Sequence, residues 1–454
     1  MIARICTKSR WRLSLALICT LAAYHLQNPH LLPVRAWAEP ILLLVAVISL
    51  AAVFRSRPKQ LWLVVSLAAL WLAATSFIVA GASAQYRHRQ AIMHAAKYEP
   101  ELMSRLGEHL VVGYENPDEI RELARRGLIG GVFITRRNAA GKTFEQLRAE
   151  LALLQTVRRQ ALLPPLIIAT DQEGGPVSRL SPPLALQPSL ATVIADEIHP
   201  PEIERRVRRY AEAQARGLVA LGINTNFSPV VDLKPTHATG ALDFHTQIAA
   251  RAIANDPNTV AQVALVYSQT LLQQGVMPTL KHFPGLGSVS ADTHHFNARL
   301  NSTLPHLNAH DWHPFRFVLS QTPAFLMVGH VTLTALDKTR PASVSPTVLT
   351  GLIRRQWQFD GVMISDDLSM APIYNRGLCR SSIASLNAGM DLLLISYDWR
   401  KYYLVLDCLR HAAQAGTLAP LEKSHQRLQA LPWNKQARPS REQTQIPMQH
   451  AGIF

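Results

Sequence analysis

Hydrophobic positions divide the chain into two kinds of territory. Up to about residue 82 they form long unbroken runs, and from about residue 100 they form short runs separated by polar, helix-like sequence. Residues 61–82, LWLVVSLAALWLAATSFIVAGA, hold no charge and suffice for a helix across about 30 Å of hydrocarbon. Residues 13–26 and 41–54 are apolar but shorter. The second reaches spanning length only by including the positions around Glu39, and the first, behind Arg4, Lys8, Arg10 and Arg12, also reads as a signal-peptide core without a convincing cleavage site.

Eight short runs follow. LVVGY (110–114), GGVFIT (130–135), PLIIATD (165–171), TNFSPVVD (225–232), VMPTLKH (276–282), FLMVGH (325–330), GVMISDD (361–367) and DLLLIS (391–396) alternate with segments long enough for helical crossovers. Near-continuous apolar strands imply burial on both faces, so the pattern predicts an α/β fold, a (β/α)8 TIM-type barrel preceded by a helical transmembrane anchor. A doubly wound open sheet is the competing arrangement, because pattern alone does not show closure. The expected division is residues 1–90 as a membrane anchor of two to three transmembrane helices, 91–431 as the barrel, and 432–454 as a disordered polar tail.

The net charge of +15 changes meaning once it is located. Residues 1–90 carry ten Lys/Arg against Glu39 alone, and residues 401–454 carry seven against three acids, so the body is nearly neutral. That leaves no basic groove for nucleic acid and points to membrane-flanking charge. With three spans, the basic N-terminus and the Arg55/Arg57/Lys59 loop share one side. The positive-inside rule then puts the body on the other, in the periplasm at a bacterial inner membrane; two spans would reverse this. Four cysteines form no disulfide framework, although Cys379 and Cys408 leave a bridge possible.

Candidate chemistry collects at the C-terminal ends of the runs, where such barrels place their sites: Asp171, Asp232, Lys281, His282, His330, Asp366 and Asp367. Adjacent carboxylates on a strand point in opposite directions, so one of Asp366 and Asp367 faces the mouth; Asp366 is the expected one, with Asp367 a helix cap. Asp171 opens DQEGG, whose glycines are expected to let the backbone approach a ligand; a turn-forming Asp is the plain alternative. In KHFPGLGSVSADTHH, His282, Asp292, His294 and His295 suit a metal, but no helical His pair with a neighbouring Glu supports one. A proton-transfer pair, or ordinary loop histidines, remain open.

As a set, LIIATDQEGGPVSRL, INTNFSPVVDL, KHFPGLGSVSADTH, MVGHVTLTALD followed by PASVSP, and FDGVMISDDLSM resemble in order and spacing the family-3 glycoside hydrolases, specifically the single-domain bacterial β-N-acetylhexosaminidases. The resemblance runs from about residue 105 to 400. It implies a barrel that removes terminal β-linked N-acetylglucosamine with retention, without metal or organic cofactor. It implies Asp366 as nucleophile, His294 with Asp292 as acid/base dyad, and Asp171, Arg179, Arg251, Lys281 and His282 as sugar-binding residues. The expected partners are a carbohydrate substrate such as peptidoglycan fragments, and the membrane. The chain departs from the family pattern at Pro176, Leu286 and the stretch Ala250-Arg251-Ala252-Ile253. The changes at Pro176 and Leu286 keep a membrane-held sugar-binding protein without activity as the alternative.

Overall fold

In a computed structural model of the chain, describing residues 2–26, 31–55, 61–196, 199–235, 246–289, 293 and 297–436, the eight short apolar runs each contain a strand. They are β1 (Leu110–Val112), β2 (Gly131–Ile134), β3 (Ile167–Thr170), β4 (Thr225–Asn226), β5 (Met277–Phe283), β6 (Phe325–Val328), β7 (Met363–Asp367) and β8 (Leu392–Ile395). Each pairs in parallel with its neighbours in sequence, and β1 pairs with β8 (Leu110 with Leu393, Val112 with Ile395). The sheet is therefore a closed barrel rather than the open alternative.

Closure follows from two-faced burial. Val111, Phe133, Ala169, Phe227, Met277, Phe325, Ile364 and Leu394 fill the interior, with the Phe133 and Phe227 rings stacked at 5.2 Å. Their sequence neighbours, such as Val112, Val132, Ile168, Leu326 and Leu393, face the outer core beneath the helices. The crossover helices start from ordinary signals. Thr143 and Gln146 form a capping box at Phe144–Gln160, and Pro200–Leu221 opens on Pro and closes on Gly222 in the left-handed region. The N-terminal end of the barrel is plugged by Leu428 and Leu431, which join the interior cluster.

Three helices precede the barrel: α1 (Ile2–His25), α2 (Leu32–Arg55) and α3 (Leu61–Tyr98). Val34–Ala51 and Val64–Tyr98 are long and apolar enough to cross a membrane, and Arg12–His25 is a shorter apolar helix. They pack through small residues, with Ala16, Ala23, Ala46 and Ala74 buried around Leu67 and Trp71, and Thr20 Oγ1 donating to the Leu70 carbonyl at 2.8 Å. α3 does not stop near residue 90. Helix-favouring sequence carries it to Tyr98, and Ile92 and Ala95 bury against the barrel, so the expected boundary falls inside one continuous helix. At the other end, Pro432–Gln436 forms a short helix where tail was expected, and the rest of the tail lies outside the described residues. Cys379 and Cys408, on the helices after β7 and β8, are bonded to each other.

Candidate active site

Alternation along the strands decides which side chains reach the barrel mouth. Ile167 and Ala169 point inward on β3, so Asp171 follows them; Met277 points inward on β5, and Lys281 lies four positions on. Val362, just before β7, and Ile364 on it face the interior, and Asp366 shares their parity. The β7–β8 register shifts between Ile364 and Asp367, a bulge that re-aims the strand end. The two carboxylates then separate by role. Asp367 is buried and accepts from the Ser369, Ser396 and Tyr397 backbone N–H groups, at 2.8, 3.0 and 2.6 Å, and from both serine hydroxyls. It is a loop clamp rather than the helix cap that the sequence suggested: the next helix, Ala371–Tyr374, starts from Met370 without a side-chain cap. Asp366 is half-buried, and its Oδ1 accepts from the Asp367 N–H at 2.8 Å.

Across the mouth, Lys281, 1% exposed, lies between two carboxylates, its Nζ 2.6 Å from Asp171 Oδ1 and 2.7 Å from Glu173 Oε1. Arg251 grips Glu173 through two nitrogens at 2.6 and 3.0 Å. Its remaining contacts are the Thr246 carbonyl at 2.9 Å and His282 Nε2 at 3.4 Å. Burial alone would raise the Glu173 carboxyl; Arg251 and Lys281 outweigh it and hold the group well below the usual carboxylate range. Burial alone would lower Arg251; Glu173, with Asp171 and Asp232, outweighs it and holds the guanidinium above its ordinary value. His282 is oriented by Asp232, whose Oδ2 lies 2.7 Å from Nδ1 and also accepts the His282 backbone N–H at 3.0 Å. A proton on Nδ1 satisfies that contact and leaves Nε2 to accept from Arg251. Arg179 stands at the edge, 46% exposed and 3.9 Å from Asp171.

The structure therefore brings Asp171, Arg251, Lys281 and His282 into one connected web, with Arg179 at its rim and Asp366 on the same end of the barrel. Asp292 and His294 lie outside the described residues. Thr293 between them is buried, and its N–H donates to Thr246 Oγ1 at 3.1 Å, close to the Arg251 contact. Sequence reasoning missed Glu173 as a site residue and Asp232 as the partner of His282. Both are buried carboxylates whose cations arrive from distant segments, so only the proximity of Glu173 to Asp171 in DQEGG was available as a signal.

The role expected for those glycines also changes. Gly174 has φ +90°, and a Cβ there would fall 2.1 Å from Tyr210 Oη and 2.2 Å from the Pro188 carbonyl, so the close approach is to the protein itself. Tyr210 in turn donates to the Glu173 carbonyl at 3.1 Å and holds the segment in place. Leu286, at one departure from the family pattern, is buried and donates its N–H to Asp232 Oδ1 at 2.7 Å, while Arg251 reaches the web despite its altered neighbours. Among the described residues no group of three or more His, Cys, Asp or Glu is placed to hold a metal ion. A cleft of about 1450 Å³ opens at the opposite end of the barrel, beside Phe325, Val362, Trp357 and Arg427, away from the mouth web.

Residues 101–431 match the model of the glycosyl hydrolase family 3 N-terminal domain. The chain belongs to glycosyl hydrolase family 3. It is 34% identical over 332 residues to the β-hexosaminidase LpqI of Mycobacterium tuberculosis, covering 70% of this chain and 80% of that protein. It is 31% identical over 298 residues to a β-hexosaminidase of Idiomarina loihiensis, covering 65% and 85%. Among solved structures, a family-3 β-N-acetylglucosaminidase from a Paenibacillus species superposes with a TM-score of 0.66 at 27% identity, over 74% of this chain and 62% of that longer one. LpqI superposes at 0.62 with 31% identity, over 72% and 91%. This family-3 chain is a glycoside hydrolase, and a web of buried carboxylates and cations lines one end of its barrel.

Proposed function

We propose that the enzyme is a retaining, exo-acting β-hexosaminidase. It removes terminal β-linked N-acetylglucosamine from amino-sugar glycans such as peptidoglycan fragments, through a covalent glycosyl–Asp366 intermediate. The division of labour between Asp366 and Asp367 carries this reading: one carboxylate is consumed by backbone N–H groups, and the other shares the parity of the barrel interior at the mouth. Double displacement requires one such carboxylate at the anomeric carbon and one proton donor at the scissile oxygen. His294, tuned by Asp292, is the donor, because an imidazole titrates near neutral pH and can protonate the leaving oxygen and later deprotonate water. The bond from Thr293 to Thr246 supports bringing that loop toward Arg251. Asp171, Arg179, Arg251, Lys281 and His282 hold the sugar hydroxyls by charge-assisted hydrogen bonds.

The anchor reading extends this to a location. α1–α3 cross a bacterial inner membrane and hold the barrel on the periplasmic side. Three observations support that topology: the basic N-terminus and Arg55/Arg57/Lys59 share one side by sequence, Arg35 at the start of α2 is paired with a barrel residue on the other, and Cys379 is bonded to Cys408 as befits an oxidising compartment.

The test is intermediate trapping. His294→Ala incubated with an activated aryl β-N-acetylglucosaminide should accumulate enzyme heavier by one N-acetylhexosaminyl unit, on the peptide that contains Asp366, with partial rescue of turnover by azide. A label on another carboxylate, or none during measurable turnover, would reassign the nucleophile.

A further inference from the structure

The apolar part of the anchor lies beyond one end of the barrel, and that end is the catalytic one. Barrel helices begin at the C-terminal ends of the strands and finish at the opposite rim. Arg89 of α3 lies 3.4 Å from Glu119, in the first turn of the helix after β1, and its guanidinium sits over the Tyr403 ring near the start of the helix after β8. Ten residues later, Glu99 accepts from Gln414, the last residue of that same helix. α3 thus descends the barrel wall from the catalytic rim to the far rim. Its apolar part, up to residue 82, projects beyond the mouth, and the seven residues from there to Arg89 rise about 10 Å.

The start of α2 touches the same rim. Arg35, 2% exposed, donates to Asp398 Oδ2 at 2.9 Å, three residues past the end of β8, and its Nε holds the Leu26 carbonyl at 2.7 Å. Asp398 donates its N–H to Ser369 Oγ at 3.2 Å, and Ser369 is bonded to Asp367 beside Asp366. Exposed aromatic residues mark the barrel-side ends of the helices, with Tyr24 at 59%, Trp37 at 73% and Tyr86 at 65% exposure, as at a membrane–water interface.

We infer that the catalytic mouth faces the bilayer across a narrow gap, and that the enzyme takes terminal N-acetylhexosamine from glycans carried on a lipid. An exo-acting pocket receives the terminal sugar and leaves the rest of the substrate pointing out of the mouth, which here is toward the membrane. A lipid-borne aglycone satisfies that direction, whereas a long soluble glycan strand meets the membrane surface. The substrate assignment rests on the hexosaminidase reading; the orientation does not.

Two arms test it on the full chain in vesicles. In a Cys6→Ser, Cys19→Ser background, single cysteines at Asn375, exposed at the catalytic end, and Leu162, 93% exposed before β3 at the other, are labelled with an impermeant fluorophore. A headgroup-linked quencher should dim the first strongly and the second weakly; equal or inverted quenching overturns the orientation. In the second arm, a glycolipid ending in β-N-acetylglucosamine, placed in the enzyme's own vesicles, should turn over about tenfold or more faster than the same glycan released from its lipid, through confinement to one surface. Parity between them, with the soluble aryl glycoside still cleaved, overturns the substrate assignment. Failure on the aryl glycoside itself refutes the hexosaminidase reading and the substrate assignment with it, and the quenching arm still decides which way the mouth points.

Discussion

The barrel holds a buried ionic cluster at each end, and the two differ in what surrounds the charges. At the N-terminal end, Asp391 is fully buried and takes the Met363 N–H at 2.7 Å, Arg427 Nη1 at 3.1 Å and Arg354 Nη2. Arg354 Nη1 donates to the Phe359 and Gly361 carbonyls at 2.9 and 2.6 Å. That cluster ties the starts of β7 and β8 to the helix that carries Leu428, while Arg427 also borders the cleft at that end. At the mouth, Lys281 and Arg251 are as deeply buried, but their carboxylates border an opening, with Asp171 18% exposed and Arg179 at the rim. Burial of charge is thus common to both ends. The carboxylates distinguish them: Asp391 is fully buried, whereas Asp171 stays partly exposed at the mouth.

The sharpest way to break the comparison is within the mouth. Asp366→Ala should lower kcat by about 10³-fold or more while leaving the thermal midpoint nearly unchanged, because its loss removes the covalent route and little packing. Asp367→Ala should instead act on stability, by about 3 kcal/mol, since it strands the N–H groups of Ser369, Ser396 and Tyr397. Steady-state kinetics with denaturant melts separates the two, and a reversal would exchange the roles of the carboxylates.

At the other end, Asp391→Ala should cost about 3–5 kcal/mol, because Arg354 and Arg427 lose their shared counter-charge. The kcat of the folded fraction should stay within about twofold of the parent. A tenfold kcat change at unchanged stability would contradict the structural role.

A smaller effect concerns acid. Glu173 has a folded pKa below the unfolded value of about 4.3, so the folded state binds fewer protons there. Its contribution to stability is complete above that unfolded value and is lost as pH falls through the lower folded one. Glu173→Gln should therefore flatten the stability profile below about pH 4 relative to the parent, measured by melts at stepped pH. An unchanged acid limb would mean that Arg251 and Lys281 do not hold the carboxylate ionised. Smallest of all, Arg35→Ala should change turnover of a soluble aryl glycoside by no more than a few-fold, since Asp398, Ser369 and Asp367 stand between Arg35 and Asp366. A loss comparable to that of Asp366→Ala would place Arg35 in the catalytic machinery.

The barrel was legible in the sequence because strands buried on both faces must be apolar almost without interruption, and each of the eight runs stood out against its polar crossover. Asp366 was expected at the mouth because adjacent carboxylates on a strand point in opposite directions; the bulge between Ile364 and Asp367 was not foreseeable from alternation. Glu173 was not legible, because a buried carboxylate is specified by its cations, and Arg251 and Lys281 are remote in sequence. The continuation of α3 past residue 90 was hidden for a different reason. Its charged positions looked like the end of a membrane span, but one face of the same turns, Ile92 and Ala95, packs on the barrel. The pairing of Cys379 with Cys408 depends on two helices becoming neighbours, which spacing alone does not encode.

Closure through β1 and β8 has a consequence for biosynthesis. The first strand ends at Val112 and its second partner at Ile395, so one edge of β1 stays unpaired until nearly the whole barrel has been made. At about 5–20 residues per second that interval lasts roughly 15–60 s. Throughout it the growing sheet presents open backbone N–H and C=O groups, the kind of edge to which other strands add. α1–α3 are synthesised before any of the barrel, so the nascent domain waits for its last strand with its N-terminal helices already made.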